Sequence, residues 1–165
     1  MRVVTFNANG LRSAARKGFF RWFARQRADV LCVQELKAHD EQIAAKAFPF
    51  VFCGDFNMAH RAIDLKNWRA NQDYPGFTPP ERAWLDSLFA TRGFVDAFRA
   101  VNQEPHQYTW WSNRGRAWAN NTGGRIDYQV VSPAIGAAVR SAGIYKRRRY
   151  SDHAPLTIDY DWALT

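Results

Sequence analysis

Small polar and titratable residues gather at the ends of this chain's apolar runs. Asn7 follows RVVTF, Glu35 follows VLCVQ, and Asp55 and Asn57 follow FVFCG. Two later runs show the reverse placement: Asp127 precedes YQVV, and Asp152-His153 precedes PLTIDY. If the later strands run antiparallel to the first three, one rim gathers these carboxylates with Asn7, Asn57 and His153. Carboxylates crowded in one cleft repel each other unless a cation sits among them. Oxygen-rich carboxylate and amide donors suit a hard metal, Mg²⁺ or Mn²⁺, rather than zinc. Such a metal beside a His–Asp pair suits hydrolysis of a phosphate ester. The metal polarises the phosphoryl oxygen, a carboxylate orients water, and the histidine stabilises developing charge. Singly, each motif has a blander reading, since GDFN on its own is also good turn sequence. Repetition at strand ends carries the case.

The elements that must position these residues follow from periodicity. Residues 2–6 read as a strand, residues 17–27 as a helix with Phe19, Phe20, Trp22 and Phe23 on its apolar face, and residues 28–34 as a strand buried on both faces. Residues 40–47 form a short helix candidate before Pro49, and residues 50–53 another strand. Residues 55–80 are long, polar and without regular pattern. Thr78-Pro79-Pro80-Glu81 is a capping box that opens a helix with Trp84, Leu85, Leu88 and Phe89 inward. Residues 93–98, 108–111, 125–131, 139–145 and 155–160 read as short strands. The sum is a layered α/β or α+β domain, and a length of 165 residues fits one domain over 1–165.

Composition narrows the partners. The net charge of +8 favours a polyanion, nucleic acid before a membrane surface. No apolar run approaches the ~18 residues of a membrane span, and the N-terminus lacks a secretory pattern, so the expected location is cytoplasmic. Cys32 and Cys53 sit inside apolar runs and read as small core residues. Arg114, Arg116 and Arg125 lie among Trp110, Trp111 and Trp118, a mixture suited to phosphate contact and stacking. Trp110 is expected in a pocket and Trp111 in the core. The run KRRR at 146–149 reads first as a solvated face; with Arg12, Arg16 and Lys17 it could also steer a polyanion such as DNA.

The stretches TFNANGLRSAARKGFFRWF, DVLCVQELK, CGDFNMAHRAIDLKNW, GFTPPERAWLD, FVDAFR, YTWWSNRG, GRIDYQVVS and SDHAPL occur in one order over most of the chain. In this the chain resembles the exonuclease III and AP endonuclease family of the endonuclease/exonuclease/phosphatase superfamily. The resemblance implies an incomplete version of that superfamily's four-layer α/β sandwich. It implies Mg²⁺- or Mn²⁺-dependent cleavage of double-stranded DNA at abasic sites and 3′ ends, as in base excision repair. Carried over by motif, Glu35 is the principal metal ligand, with Asn7, Asn9 and Asp152 in the same pocket. Asp55 orients and deprotonates water, Asn57 helps hold the phosphate, and Asp127 orients His153. Arg12, Trp110, Arg114, Arg116, Arg125 and Ile126 are the expected DNA contacts.

Two departures from the family stand out. Only 19 residues separate Glu35 from Asp55. Relatives carry there a longer segment with core strands, a helix and an active-site tyrosine. No tyrosine precedes Asp55 in this chain. Lost strands leave unpaired edges and apolar faces, which predicts self-association. Gly124 stands where relatives have an aromatic wall of the abasic-sugar pocket, which predicts weaker abasic selectivity. The competing expectation is an internally deleted relative that at most binds DNA. A small-molecule phosphatase fits the basic and aromatic features less well.

Overall fold

A computed structural model describes residues 1–9, 14, 16–34 and 51–163. Its strands are β1 (Arg2–Asn7), β2 (Val30–Gln34), β3 (Val51–Asp55), β4 (Val95–Asp96), β5 (Asp127–Val131), β6 (Val139–Ile144) and β7 (Leu156–Tyr160). Its α-helices are α1 (Phe19–Phe23), α2 (Pro79–Asp86), α3 (Ala97–Val101) and α4 (Pro133–Gly136). One sheet runs β2-β1-β7-β6 and the other β3-β5-β4. β1 and β2 are parallel, and the remaining pairings are antiparallel.

The main core lies between the sheets. Val3 of β1, Val131 of β5 and Leu156 and Ile158 of β7 pack there with Phe98 of α3 and Ile135 of α4. Gln129 of β5 pins the layers together: its Nε2 donates to the Val3 carbonyl at 3.3 Å, and its Oε1 accepts from the Tyr160 hydroxyl at 2.9 Å. The other face of the first sheet packs on α1, where Phe19 stacks on Phe6 with ring centroids 4.2 Å apart.

Several expected elements shift. The helix expected over 17–27 is confined to Phe19–Phe23, entered from Gly18 at φ +90°. The strand expected over 93–98 ends after Asp96, because that side chain accepts from the Arg99 amide at 3.2 Å and caps α3. Residues 108–111 make only isolated bridges, Trp110 pairing with Gly124 and with His153. The stretch after Asp55 contains two 3₁₀ turns, Ala62–Asp64 and Trp68–Asn71. The helix expected over 40–47 lies outside the described residues. Among the described residues no helix is long and apolar enough to cross a membrane.

Candidate active site

Strand direction assembles the rim. β3 and β5 pair antiparallel with Asp55 opposite Asp127, so the end of one meets the start of the other. β1 ends at the same place, where Asn7 Nδ2 donates to Asp55 Oδ2 at 3.2 Å. The chain entering β7 brings His153, whose Nδ1 lies 2.9 Å from Asp127 Oδ2. Its Nε2 stands 3.9 Å from Asp55 Oδ2. Burial disfavours charge on the ring. The Asp127 hydrogen bond and the charges of Asp127, Asp55 and Asp152 outweigh it and raise the His153 pKa above the ordinary histidine value.

These groups face a cleft of about 420 Å³, whose lining includes Asp55, Asn57, Trp110, Ile126, Asp152 and His153. Asn57 N donates to Asp55 Oδ1 at 2.8 Å. Asn57 itself sits at φ +55°, a conformation asparagine tolerates better than most residues. Gly76, at φ +96°, packs against it so closely that a Cβ would come within 2.9 Å of the Asn57 carbonyl. Gly76 and Thr78 both donate backbone N–H groups to the Glu81 carboxylate, so the box that starts α2 also seats this loop.

Oxygen donors stand in pairs. Asp55 is bonded to Asn7, and Asp152 Oδ1 accepts from Asn9 Nδ2 at 2.8 Å. Burial tends to raise the Asp152 pKa, but Asn9, His153 and Trp110 together lower it below the usual aspartate value. Asp127 Oδ1 is buried and accepts no hydrogen bond among the described residues. Among those residues no three His, Cys, Asp or Glu side chains form a ready-made metal cage. The oxygen donors of Asn9 and Asp152, which line the cleft, are nevertheless of the kind that suits a hard divalent cation. Glu35 and Arg12 lie outside the described residues.

The expected DNA contacts divide. Arg114 and Arg116 are exposed, and Trp110 and Ile126 line the cleft. Trp110 Nε1 points to Asp152 Oδ2 at 3.4 Å, while Trp111 is buried against Trp118. Arg125 is not on the surface. Its side chain is fully buried, with Nε 2.8 Å from Asp64 Oδ1 and an Nη 2.6 Å from Asp96 Oδ2. A guanidinium satisfied by two buried carboxylates holds the scaffold and has no route to a phosphate.

Sequence reasoning missed three supports. Thr109 Oγ1 accepts the Ile126 and Asp127 amides, both at 3.1 Å. Ser151 Oγ donates to the Asn7 carbonyl and accepts the His153 amide, both at 2.9 Å. Asp64 binds Arg125 and Arg99. The signal was present in the YTWW, SDHAPL and AIDL stretches, where each residue looked like filler.

Residues 4–153 match the Endonuclease/Exonuclease/phosphatase family, and the chain belongs to that family. It is 42% identical over 118 residues to an exodeoxyribonuclease of Streptococcus pneumoniae, covering 70% of this chain and 42% of that one. It is 42% identical over 111 residues to an exodeoxyribonuclease of Bacillus subtilis, covering 67% and 44%. The chain thus spans about two-fifths of the length of these curated relatives. In architecture it is similar to an AP endonuclease from Archaeoglobus fulgidus, with a TM-score of 0.85, 17% identity and coverage of 98% and 100%. The two-sheet α/β arrangement is a shortened form of the family's sandwich.

Proposed function

We propose that the chain is a divalent-metal-dependent hydrolase of DNA phosphodiesters, acting at abasic sites and 3′ ends as base excision repair requires. The observation that carries this reading is His153 held between Asp127 and Asp55 at the rim of the cleft. The exodeoxyribonuclease relatives support DNA as the substrate.

In this reading Asp55 orients the attacking water and takes its proton. Its carboxylate is aimed by Asn7 and by the Asn57 amide. The new oxygen–phosphorus bond forms as the bond to the leaving oxygen breaks, and that oxygen takes up a proton. His153 gives Nδ1–H to Asp127, which leaves Nε2 toward the cleft. Its raised pKa favours the protonated ring, which donates to a phosphoryl oxygen as charge builds there. Glu35, Asn7, Asn9 and Asp152 would hold Mg²⁺ or Mn²⁺, which when bound polarises the phosphoryl group. Arg114 and Arg116 contact flanking phosphates, with Trp110 and Ile126 against the sugar.

The test is cleavage of a labelled duplex carrying one abasic site, with Mg²⁺ and with EDTA, beside Asp55→Ala. Metal-dependent cutting that disappears in Asp55→Ala is expected. Soluble, folded protein that never cuts overturns the reading in favour of a DNA-binding remnant.

A further inference from the structure

Beyond the cleft, two depressions continue along the surface. The first, about 210 Å³, shares Asn9 and Asp152 with the cleft and adds Lys17, Arg149 and Asn113. Arg149 is fixed there: its Nε donates to the Ser151 carbonyl at 3.0 Å and an Nη to Asn113 Oδ1 at 2.6 Å. The second depression, about 240 Å³, shares Lys17 with the first. Arg16, Arg21, Arg25 and Arg148 line it, and no carboxylate does among the described residues. Trp22, Tyr145 and Tyr150 form its aromatic wall, with Trp22 and Tyr145 centroids 4.9 Å apart and Tyr145 stacked on Tyr150 at 5.9 Å.

The aromatics have a packing role, because they seat α1 on the sheet. The cations do not share it. Arg16, Arg21 and Arg25 are exposed or half-exposed side chains with no ion pair among the described residues. Arg148 is exposed and lies over the Tyr150 ring, its guanidinium carbon 5.7 Å from the ring centroid. Uncompensated cations converging in a hollow concentrate field and draw a polyanion. A convex duplex cannot enter a hollow of 240 Å³, whereas a single strand can place a phosphate or an unstacked base there. Cations interleaved with aromatics are the surface that single strands use.

We propose that the hollow formed by Arg21, Arg25, Arg148, Trp22 and Tyr145 binds a single-stranded nucleic-acid extension continuous with the strand held in the cleft. Lys17 and Arg149 carry its backbone between the two. This rests on the nuclease reading given above, and it adds a substrate class to it: ends or gaps with unpaired flanks.

Anisotropy in EDTA with two labelled abasic duplexes tests it, one blunt and one with extensions of roughly ten nucleotides at both ends. The wild type should bind the extended duplex about tenfold more tightly. The triple variant Arg21→Ala, Arg25→Ala, Arg148→Ala should lose that gain. Its slope of log affinity against log salt should be shallower by about two, from ~0.7 per lost contact. The corresponding triple Lys variant should keep the gain. All three proteins should melt at the same temperature, so that a lost gain is not a loss of folding. A wild type that gains nothing from the extensions, or an Ala variant that keeps the gain, overturns the proposal. A wild type that gains affinity but cuts neither duplex upholds the groove and overturns the nuclease reading.

Discussion

His153 is held through its backbone as well as through its ring. Asp127 holds Nδ1, Ser151 holds the backbone amide, and Trp110 bridges the same residue from the side. The titratable partners were legible in the sequence because charge at the end of an apolar run is conspicuous. The hydroxyls were not, because a buried serine or threonine leaves no mark in a pattern. Arg125 misled for a related reason: a basic residue among tryptophans reads as a surface, and only its burial between Asp64 and Asp96 shows otherwise. Asp64 carries a pH prediction. Burial raises its pKa, but Arg125 and Arg99 outweigh burial and hold it below the ordinary aspartate value. A depressed folded pKa contributes stability that is full above about pH 4 and is lost as pH falls through the depressed value. Urea unfolding at pH 7 and pH 3 should therefore show a smaller acid loss in Asp64→Asn than in the wild type. At pH 7 the variant should be about 3–5 kcal/mol less stable, with Arg125 left short of a buried partner. Equal acid losses would rule this out. Gly124 carries a second prediction. A Cβ there would meet Leu65 Cδ1 at 3.2 Å, the tip of a movable side chain, so an aromatic can be placed in the cleft wall. Gly124→Phe should raise the preference for abasic over intact duplex in competition cleavage. An unchanged ratio would mean that this wall does not select the sugar.

At the scale of elements, strands were read better than helices. β1, β2, β3, β5, β6 and β7 fall within a few residues of their expected bounds, most plainly β1 and β2, apolar runs that end on a polar residue. Three of the α-helices have five residues or fewer, too short for periodicity to mark their ends. The exception is α2, whose Thr78–Glu81 box is a local signal and starts the helix as expected, although Trp84, expected inward, is exposed and Leu85 is the buried anchor. Helices of one turn do not persist by propensity, so α1 depends on what it docks against. Phe19 is its fully buried anchor, stacked on Phe6 and edge-on to Tyr150. Phe19→Ala should cost about 3–5 kcal/mol in equilibrium unfolding. The same change should expose the tryptophan of α1, so Trp22 emission should shift red before the main transition. A loss under 1 kcal/mol would show that α1 is held by its other aromatics.

For the whole molecule, the sequence states the sum of charge and the structure states its distribution. A net charge of +8 says only that a polyanion is favoured. The fold spends Arg125 and Arg99 inside, on Asp64 and Asp96, and leaves Arg114 and Arg116 exposed, with Arg149 in the depression beside the cleft. That division decides how binding answers to salt. Each phosphate neutralised on duplex DNA releases counterions and adds about 0.9 to the slope of log affinity against log salt. Phosphate contacts from Arg114, Arg116, Arg149 and Lys17 would therefore give a slope of roughly −3 to −4 for a blunt duplex, well short of what the whole net charge would give. Replacing Arg114 and Arg116 with alanine should make it shallower by about two, at little cost in stability since both are exposed. Arg125→Ala should instead unfold the protein before its effect on binding can be read, because it leaves Asp64 and Asp96 charged and buried. A steep slope that ignores the Arg114 and Arg116 changes would place the duplex on some other face, and a slope near zero would remove phosphate contact as the source of affinity.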